Sequence, residues 1–319
     1  MHRWTDPAQT PEGLRPSVAT FGNFDGVHLG HRAVLARLVE EASARGLPSV
    51  AVTFDPHPAT IFHPETLELI APGRLRDDLL ATTGIDGLLV LEFTQDFAQQ
   101  TAQEFIVRTF VETLGVSAIV VGEDARGFGR GYTGDVSTLA ALGEEHGFDV
   151  IVLDDLGNGE RWSSSAVRRH LAAGDVAAAA AILGRPHRMT GTVVHGAHRG
   201  RELGYPTANL AADSLGLVPA DGVYAGWLTR VAKPAEDPER TLPAAISVGT
   251  NPTFDGTVRT VEAYVLDRTD LDLYDEEVTL EFVEHIRPTL RFDSIDELLS
   301  AMAGDIEKCR QVLASIVPS

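Results

Sequence analysis

Two histidines three residues apart, His28 and His31, follow an apolar run and a turn that contains Gly22, Asn23, Asp25, Gly26 and Gly30. Glycines let a backbone approach a ligand closely, and a helix starting near His28 aims free N–H groups and its dipole at an anion. Residues three apart share a helix face, so both imidazoles project from that first turn. Such a pair is suited to clamp the charge of a polyphosphate. Zinc ligation is an alternative, although no cysteine or acidic set accompanies the pair. Ordinary structural histidines are another. A second group is formed by Arg161, Ser163, Ser164, Ser165 and Arg168. Serine hydroxyls at a helix start cap it or take phosphate oxygens, and an arginine one turn in adds charge. A plain serine-capped helix is the competing reading.

Further along, Gly196, Gly200 and Gly204 surround Arg201 and lead into Pro206, Thr207, Ala208 and Asn209. Glycines at that spacing allow a tight loop around phosphates, and Thr207 and Asn209 offer oxygen ligands of the kind Mg²⁺ prefers. A glycine-rich surface loop is the bland alternative. Glu262 stands in an alternating stretch, where a solvent-facing carboxylate is the default.

The elements that must hold these groups differ between the two halves. Apolar runs at 17–21, 49–54, 87–93, 116–122 and 148–153 read as buried strands. Helical spacing at 32–45, 102–114 and 136–146 alternates with them, which predicts a parallel sheet covered by helices on both faces. Helices over 163–173 and 176–183 close this half. Beyond residue 186 come short β-rich segments at 190–194, 223–229, 244–248, 260–266 and 278–284, then an amphipathic helix over 294–316. That pattern predicts a small antiparallel barrel with the helix against one side. The expected domains are therefore 1–186 and 187–319. The opening sixteen residues read as a polar lead-in without order of their own.

Composition narrows the class. Of 319 residues, 46 are acidic and 26 basic, and the net charge of −20 repels a nucleic acid backbone. No apolar run is long enough to span a membrane, and the N-terminus lacks the apolar segment of a signal peptide. Cys309 is the only cysteine, so no disulfide forms within the chain and a reducing cytoplasm fits.

The His-x-Gly-His pair after a strand resembles the nucleotidylyltransferase superfamily. The neighbouring Gly22, Asn23, Phe24, Asp25 and Gly26, with Phe54, Asp55, Pro56, His57 and Pro58, resemble the FMN adenylyltransferase module of bacterial FAD synthetases. Arg161 to Arg168 is similar to that family's Arg-x-x-Ser-Ser-Thr-x-x-Arg pattern, with Ser165 in place of threonine. The Pro-Thr-Ala-Asn run at 206–209 resembles the signature of riboflavin kinases.

The resemblance implies a Rossmann-like nucleotidylyltransferase domain followed by a riboflavin kinase barrel. It implies ATP-dependent phosphorylation of riboflavin to FMN, then adenylylation of FMN to FAD with release of pyrophosphate. It casts Glu262 as base for the ribityl hydroxyl, and His28 and His31 as stabilisers of phosphate charge. Gly22, Asn23, Asp25, Gly30, Arg161, Ser164, Ser165 and Arg168 would hold the nucleotide of the adenylyl step. Phe54, Pro56, His57, Asp124 and Phe128 would face the flavin. Gly196, Gly200, Arg201 and Gly204 would hold the nucleotide of the kinase, and Thr207 and Asn209 the Mg²⁺ that accompanies ATP. The expected partners are riboflavin, FMN, FAD and ATP.

One stretch departs from the pattern. In 122–129 the family shows an aromatic where Ala125 stands, and Gly127 is an extra residue. A second reading follows from it, a riboflavin kinase with an impaired adenylylating half. A third, of a different class, is a flavin-binding or nucleotide-sensing protein without turnover.

Overall fold

The computed structural model describes residues 1–62, 67–154, 161–196, 203–253, 256–316 and 318. By contacts between residues the chain divides into two compact units, Met1–Leu69 with Gly73–Ser163, and Ile70–Pro72 with Ser164–Ser319.

The first unit holds β1 (His2–Trp4), β2 (Val18–Phe21), α1 (Leu29–Arg45), β3 (Ser49–Asp55), α2 (Pro58–Phe62), α3 (Arg74–Ala81) and β4 (Gly87–Glu92). It continues with α4 (Ala102–Ile106), β5 (Ala118–Gly122), α5 (Val136–His146) and β6 (Asp149–Leu153). The strands form one parallel sheet in the order β1-β4-β3-β2-β5-β6. Burial on both faces explains the continuous apolar runs: Val50, Ala51 and Val52 of β3 are all fully buried. Helix α4 starts in a capping box, Thr101 Oγ1 accepting from Glu104 N at 3.1 Å and Glu104 Oε2 from Thr101 N at 2.8 Å. It runs on through wide turns over Val107–Leu114, so the helix expected at 102–114 is present with its second half underwound.

The lead-in is a correction. Residues 2–4 pair in parallel with Gly87 to Leu89, and Trp4 and Leu14 are buried. A side chain at Gly87 would meet Leu14 at 2.9 Å and Trp4 at 3.0 Å, so these two apolar groups fill the space a glycine leaves. Burying a group of this size contributes about 1.5–3 kcal/mol. Three residues are too few to show a period, which is why the stretch reads as featureless.

The second unit begins with α6 (Ser164–Ala172) and α7 (Val176–Leu183). Six strands follow: β7 (His187–Val194), β8 (Ala208–Leu210), β9 (Gly222–Arg230), β10 (Thr241–Thr253), β11 (Gly256–Val265) and β12 (Glu277–Pro288). They close into an antiparallel barrel in the order β10-β11-β8-β7-β12-β9. Alternation is clean where it can be read: Val261, Ala263 and Val265 are buried, while Glu262 and Tyr264 between them face outward. Helix α8 (Ile295–Leu313) is capped by Ser294 Oγ and packs Cys309 and Leu313 against Ala225 and Trp227 on the barrel's outside. Five barrel strands were expected; the sixth, β8, is three residues long and had no pattern of its own.

Candidate functional sites

Leaving out the edge strand β1, the sheet order is β4-β3-β2-β5-β6, in which the chain starts centrally, builds outward and returns to the other side of β2. Ligands in such sheets bind beyond the carboxyl ends of the strands, where the order reverses. Here that place lies between β2 and β5, and the turn after β2 carries both histidines. The turn is strained. Phe24 has φ 49° and Val27 φ 43°, conformations costing of order 1–3 kcal/mol each. Val27 N donates to Phe24 O at 3.0 Å, and Phe24, Asp25, Val27 and His28 are all buried.

His28 caps α1 rather than belonging to its first turn. Its backbone is extended, and Nδ1 accepts from His31 N at 3.3 Å. With Nδ1 an acceptor, the proton of the neutral ring sits on Nε2. The two imidazoles stack, centroids 3.6 Å apart and planes 21° from parallel. The spacing of three thus brings the rings together as a cap and a helical residue, not as two side chains on one helix face. Desolvation, then the charge of His28, holds the His31 imidazole well below its usual range. At neutral pH His31 is therefore an uncharged hydrogen-bonding group. Its Nδ1 is buried with no hydrogen-bond partner among the described residues. A Cβ at Gly30 would lie 3.1 Å from His28 Cε1, so the glycine makes room for that ring.

The neighbouring strand ends bring aromatics. Asn23 O accepts from Thr53 Oγ1 at 3.4 Å, and Gly22 N donates to Val52 O at 3.1 Å, tying the turn to β3. The half-buried Phe54 ring lies 5.6 Å from Phe93 and 5.9 Å from Phe97. Pro56 is exposed, and His57 Nδ1 accepts from Ala59 N at 3.1 Å. In the loop after β5, Phe128 packs edge-on against Phe21 at 5.2 Å, and Asp124 pairs with Arg161 at 2.6 Å. Ala125 turns onto the core, and Gly127 N donates to Gly134 O at 2.8 Å. Ser164, Ser165 and Arg168 stand on the first turns of α6 in the second unit.

In the barrel, β8 lies between β7 and β11, with Asn209 opposite Val194 on one side and Glu262 on the other. Thr207 Oγ1 donates to Glu262 Oε2 at 3.2 Å, and Asn209 Nδ2 donates to Thr207 O at 3.3 Å. Three oxygen-bearing side chains therefore converge, one of them a carboxylate. Hard oxygen donors in small number fit Mg²⁺, which keeps waters and phosphate oxygens for its remaining positions. Among the described residues no group of three His, Cys, Asp or Glu side chains could hold a metal, which leaves the zinc alternative for His28 and His31 without a third ligand.

Beside this cluster opens a cleft of about 560 Å³ including its mouth, lined on its apolar side by Val193, Leu273 and Tyr274. Arg268, which also borders the cleft, was not singled out in the sequence. The His195 ring lies 3.9 Å from that of Tyr274. Gly196 abuts Asn209, and Gly204 is exposed in the left-handed region at φ 87°. Gly200 and Arg201 lie outside the described residues.

Comparison with known proteins separates the same two halves. A family model for FAD synthetase matches residues 10–167, and one for riboflavin kinase matches residues 183–313. An Escherichia coli K12 protein described as bifunctional riboflavin kinase/FMN adenylyltransferase is 38% identical over 308 residues, covering 95% of this chain and 94% of the relative. The Pseudomonas fluorescens protein of that description is 39% identical over 311 residues, covering 94% and 96%. This chain belongs to that bifunctional family. A solved Streptococcus pneumoniae structure, described as a macrolide-efflux protein, superposes with a TM-score of 0.84 at 31% identity, covering 97% of this chain and 98% of that one. No helix among the described residues here is long and apolar enough to cross a membrane. Both family halves are thus present in one chain, the adenylylating one included despite its departures at Ala125 and Gly127.

Proposed function

We propose that the chain phosphorylates riboflavin to FMN in its C-terminal part and adenylylates FMN to FAD in its N-terminal part, with the functional boundary near residue 186. The observation that carries this is that each half gathers its own chemistry: stacked His28 and His31 at the reversal point of the sheet, and Thr207, Asn209 and Glu262 together on the barrel.

In the kinase step Glu262 takes the proton of the terminal ribityl hydroxyl as that oxygen attacks the γ-phosphorus of ATP and ADP leaves. Thr207 orients the carboxylate through its hydroxyl. Mg²⁺ bound through Thr207 and Asn209 would neutralise charge on the nucleotide phosphates. Gly196, Gly200, Arg201 and Gly204 border the nucleotide. In the adenylyl step a phosphate oxygen of FMN attacks the α-phosphorus of ATP in line and pyrophosphate leaves. His28 Nε2–H and the His31 ring donate to the oxygens on which charge grows. Gly22, Asn23, Asp25 and Gly30 shape the turn, while Arg161, Ser164, Ser165 and Arg168 hold phosphate oxygens. Phe54, Pro56, His57, Asp124 and Phe128 border the flavin. The substrates are small molecules, and the net charge of −20 disfavours nucleic acid. The buried free thiol of Cys309 suits a cytoplasmic setting.

The test is incubation with riboflavin and Mg-ATP followed by chromatography of the flavins. FAD supports both activities, FMN alone leaves a riboflavin kinase, and neither leaves a flavin binder. His28→Ala will remove FAD formation and spare FMN formation, and Glu262→Gln will do the reverse at the first step; one variant abolishing both steps from their own substrates would break the division.

A further inference from the structure

Helix α3 carries a buried ion pair that the two reactions leave unused. Arg76 and Asp77 are only 4% and 7% exposed. Arg76 donates from Nε and Nη2 to Asp77 Oδ1 at 3.2 and 3.1 Å, and Asp77 Oδ2 accepts from Arg3 Nε of β1 at 2.7 Å. The remaining arm of Arg76 does something else: Nη1 donates to the backbone carbonyl of Phe54 at 2.8 Å.

That carbonyl has a particular place. Val52 O still finds Gly22 N of the turn after β2 at 3.1 Å. Phe54 O, two residues on, points to the same side of β3 by strand periodicity. By then the neighbouring chain has turned off toward His28, and Arg76 supplies the donor that β2 no longer offers. Phe54 is the next-to-last residue of β3, just before the chain leaves the sheet at Pro56, His57 and Pro58. It is also part of a half-buried aromatic group with Phe93 and Phe97, next to which Phe62 is 45% exposed. Aromatic faces at the carboxyl ends of parallel strands suit a flat aromatic ligand. A buried ion pair is weak evidence for stability, since an apolar replacement often serves as well.

We propose that Arg76 is a positioning residue for the flavin end of the adenylyl site, acting through the Phe54 carbonyl; this rests on the adenylylation reading above. Arg76→Lys is the decisive variant. Lysine keeps the cation beside Asp77 but lacks the planar fork needed to hold the carboxylate and the carbonyl together. Arg76→Met removes both. FAD synthesis is measured with FMN and ATP varied in turn, with riboflavin phosphorylation and thermal melting followed on the same preparations. The KM for FMN will rise about tenfold in both variants, with the KM for ATP and kcat within about threefold. An unchanged KM for FMN in Arg76→Lys, or parallel rises for FMN and ATP, overturns the positioning role. Should Arg76→Met fail to fold, Arg76→Lys decides by the same criterion. A wild-type chain that makes no FAD overturns the adenylylation reading and this proposal with it, whereas normal wild-type synthesis with an unmoved variant overturns this proposal alone.

Discussion

Replacing Gly196 with alanine puts a methyl group where the Asn209 side chain stands. The added Cβ would lie 2.5 Å from Asn209 Oδ1 and 2.6 Å from both Cγ and Nδ2. Favourable contact between such atoms begins near about 3.5 Å, so the amide must withdraw by about 1 Å. The backbone of Gly196 lies outside the left-handed region, so alanine brings no conformational strain of its own. The atoms it meets are the end of a side chain that can rotate, which limits the cost to the fold to about 1 kcal/mol. What is lost is the aim of Asn209 beside Thr207 and Glu262. A displacement of about 1 Å in a positioning group costs on the order of 10²-fold in rate, or about 2.7 kcal/mol of barrier. FMN formation from riboflavin and Mg-ATP will therefore fall by about 10²-fold, while FAD formation from supplied FMN stays within about twofold. A melt on the same preparation will show little change. FMN formation within about threefold of wild type would refute the reasoning, because the clash would then be absorbed without consequence for the site. Loss of both activities with a collapsed melt would refute it differently, by showing that the methyl group disturbs the barrel and not the amide alone.

Gly30→Ala is the counterpart in the other half. Its Cβ would stand 3.1 and 3.2 Å from two atoms of the His28 ring, a milder clash. FAD formation will fall about tenfold with FMN formation untouched, and an undiminished FAD rate would count against the imidazole clamp. A pH effect on stability comes from His187, which is 1% exposed with Nε2 2.6 Å from Leu217 O, and whose pKa is pushed down to about 4 by burial. The unfolded chain takes up this proton near the ordinary value of 6.5 and the folded one only near 4, so the unfolded state binds more protons between them. The stability is complete above pH 6.5 and lost as pH falls toward 4, at up to about 1.4 kcal/mol per pH unit. Urea melts across that window will show a shallower slope for His187→Gln, and equal slopes would remove His187 as the cause.

What could be read from the sequence and what could not follows from how far each feature depends on partners distant in the chain. The strands β2 to β5 are legible because each is buried along its own apolar run. Strand β6, expected to be buried as well, lies at the sheet edge with Val152 exposed, so its run marks a strand without marking its burial. Helix α5 matches its expected span, since Asp135 caps it locally through Thr138 N at 2.8 Å. Strand β8 is invisible because Ala208, Asn209 and Leu210 become a strand only through β7 and β11 on either side. Yet that register is what sets Asn209 opposite Glu262 and brings Thr207 to a carboxylate 55 residues away. Arg76 and Asp77 could not be distinguished from ordinary charged helix residues, because burial is imposed by elements remote in sequence.

The glycines carry the sharper lesson. Read along the chain, Gly30 and Gly196 belong to flexible, phosphate-approaching runs. In the structure neither uses the left-handed freedom that Gly26 takes at φ 82°. Each instead stands beside a side chain proposed to act: a methyl group at Gly196 would overlap Asn209 at 2.5 Å, and one at Gly30 would press on the His28 ring at 3.1 Å. The requirement for glycine there is one of room at the Cβ position, not of backbone conformation. It follows that alanine, the mildest replacement, should separate the two activities at these positions without unfolding either half. At Gly26 the cost should instead fall first on the fold of the turn, because an L residue there adds a third strained conformation to those of Phe24 and Val27.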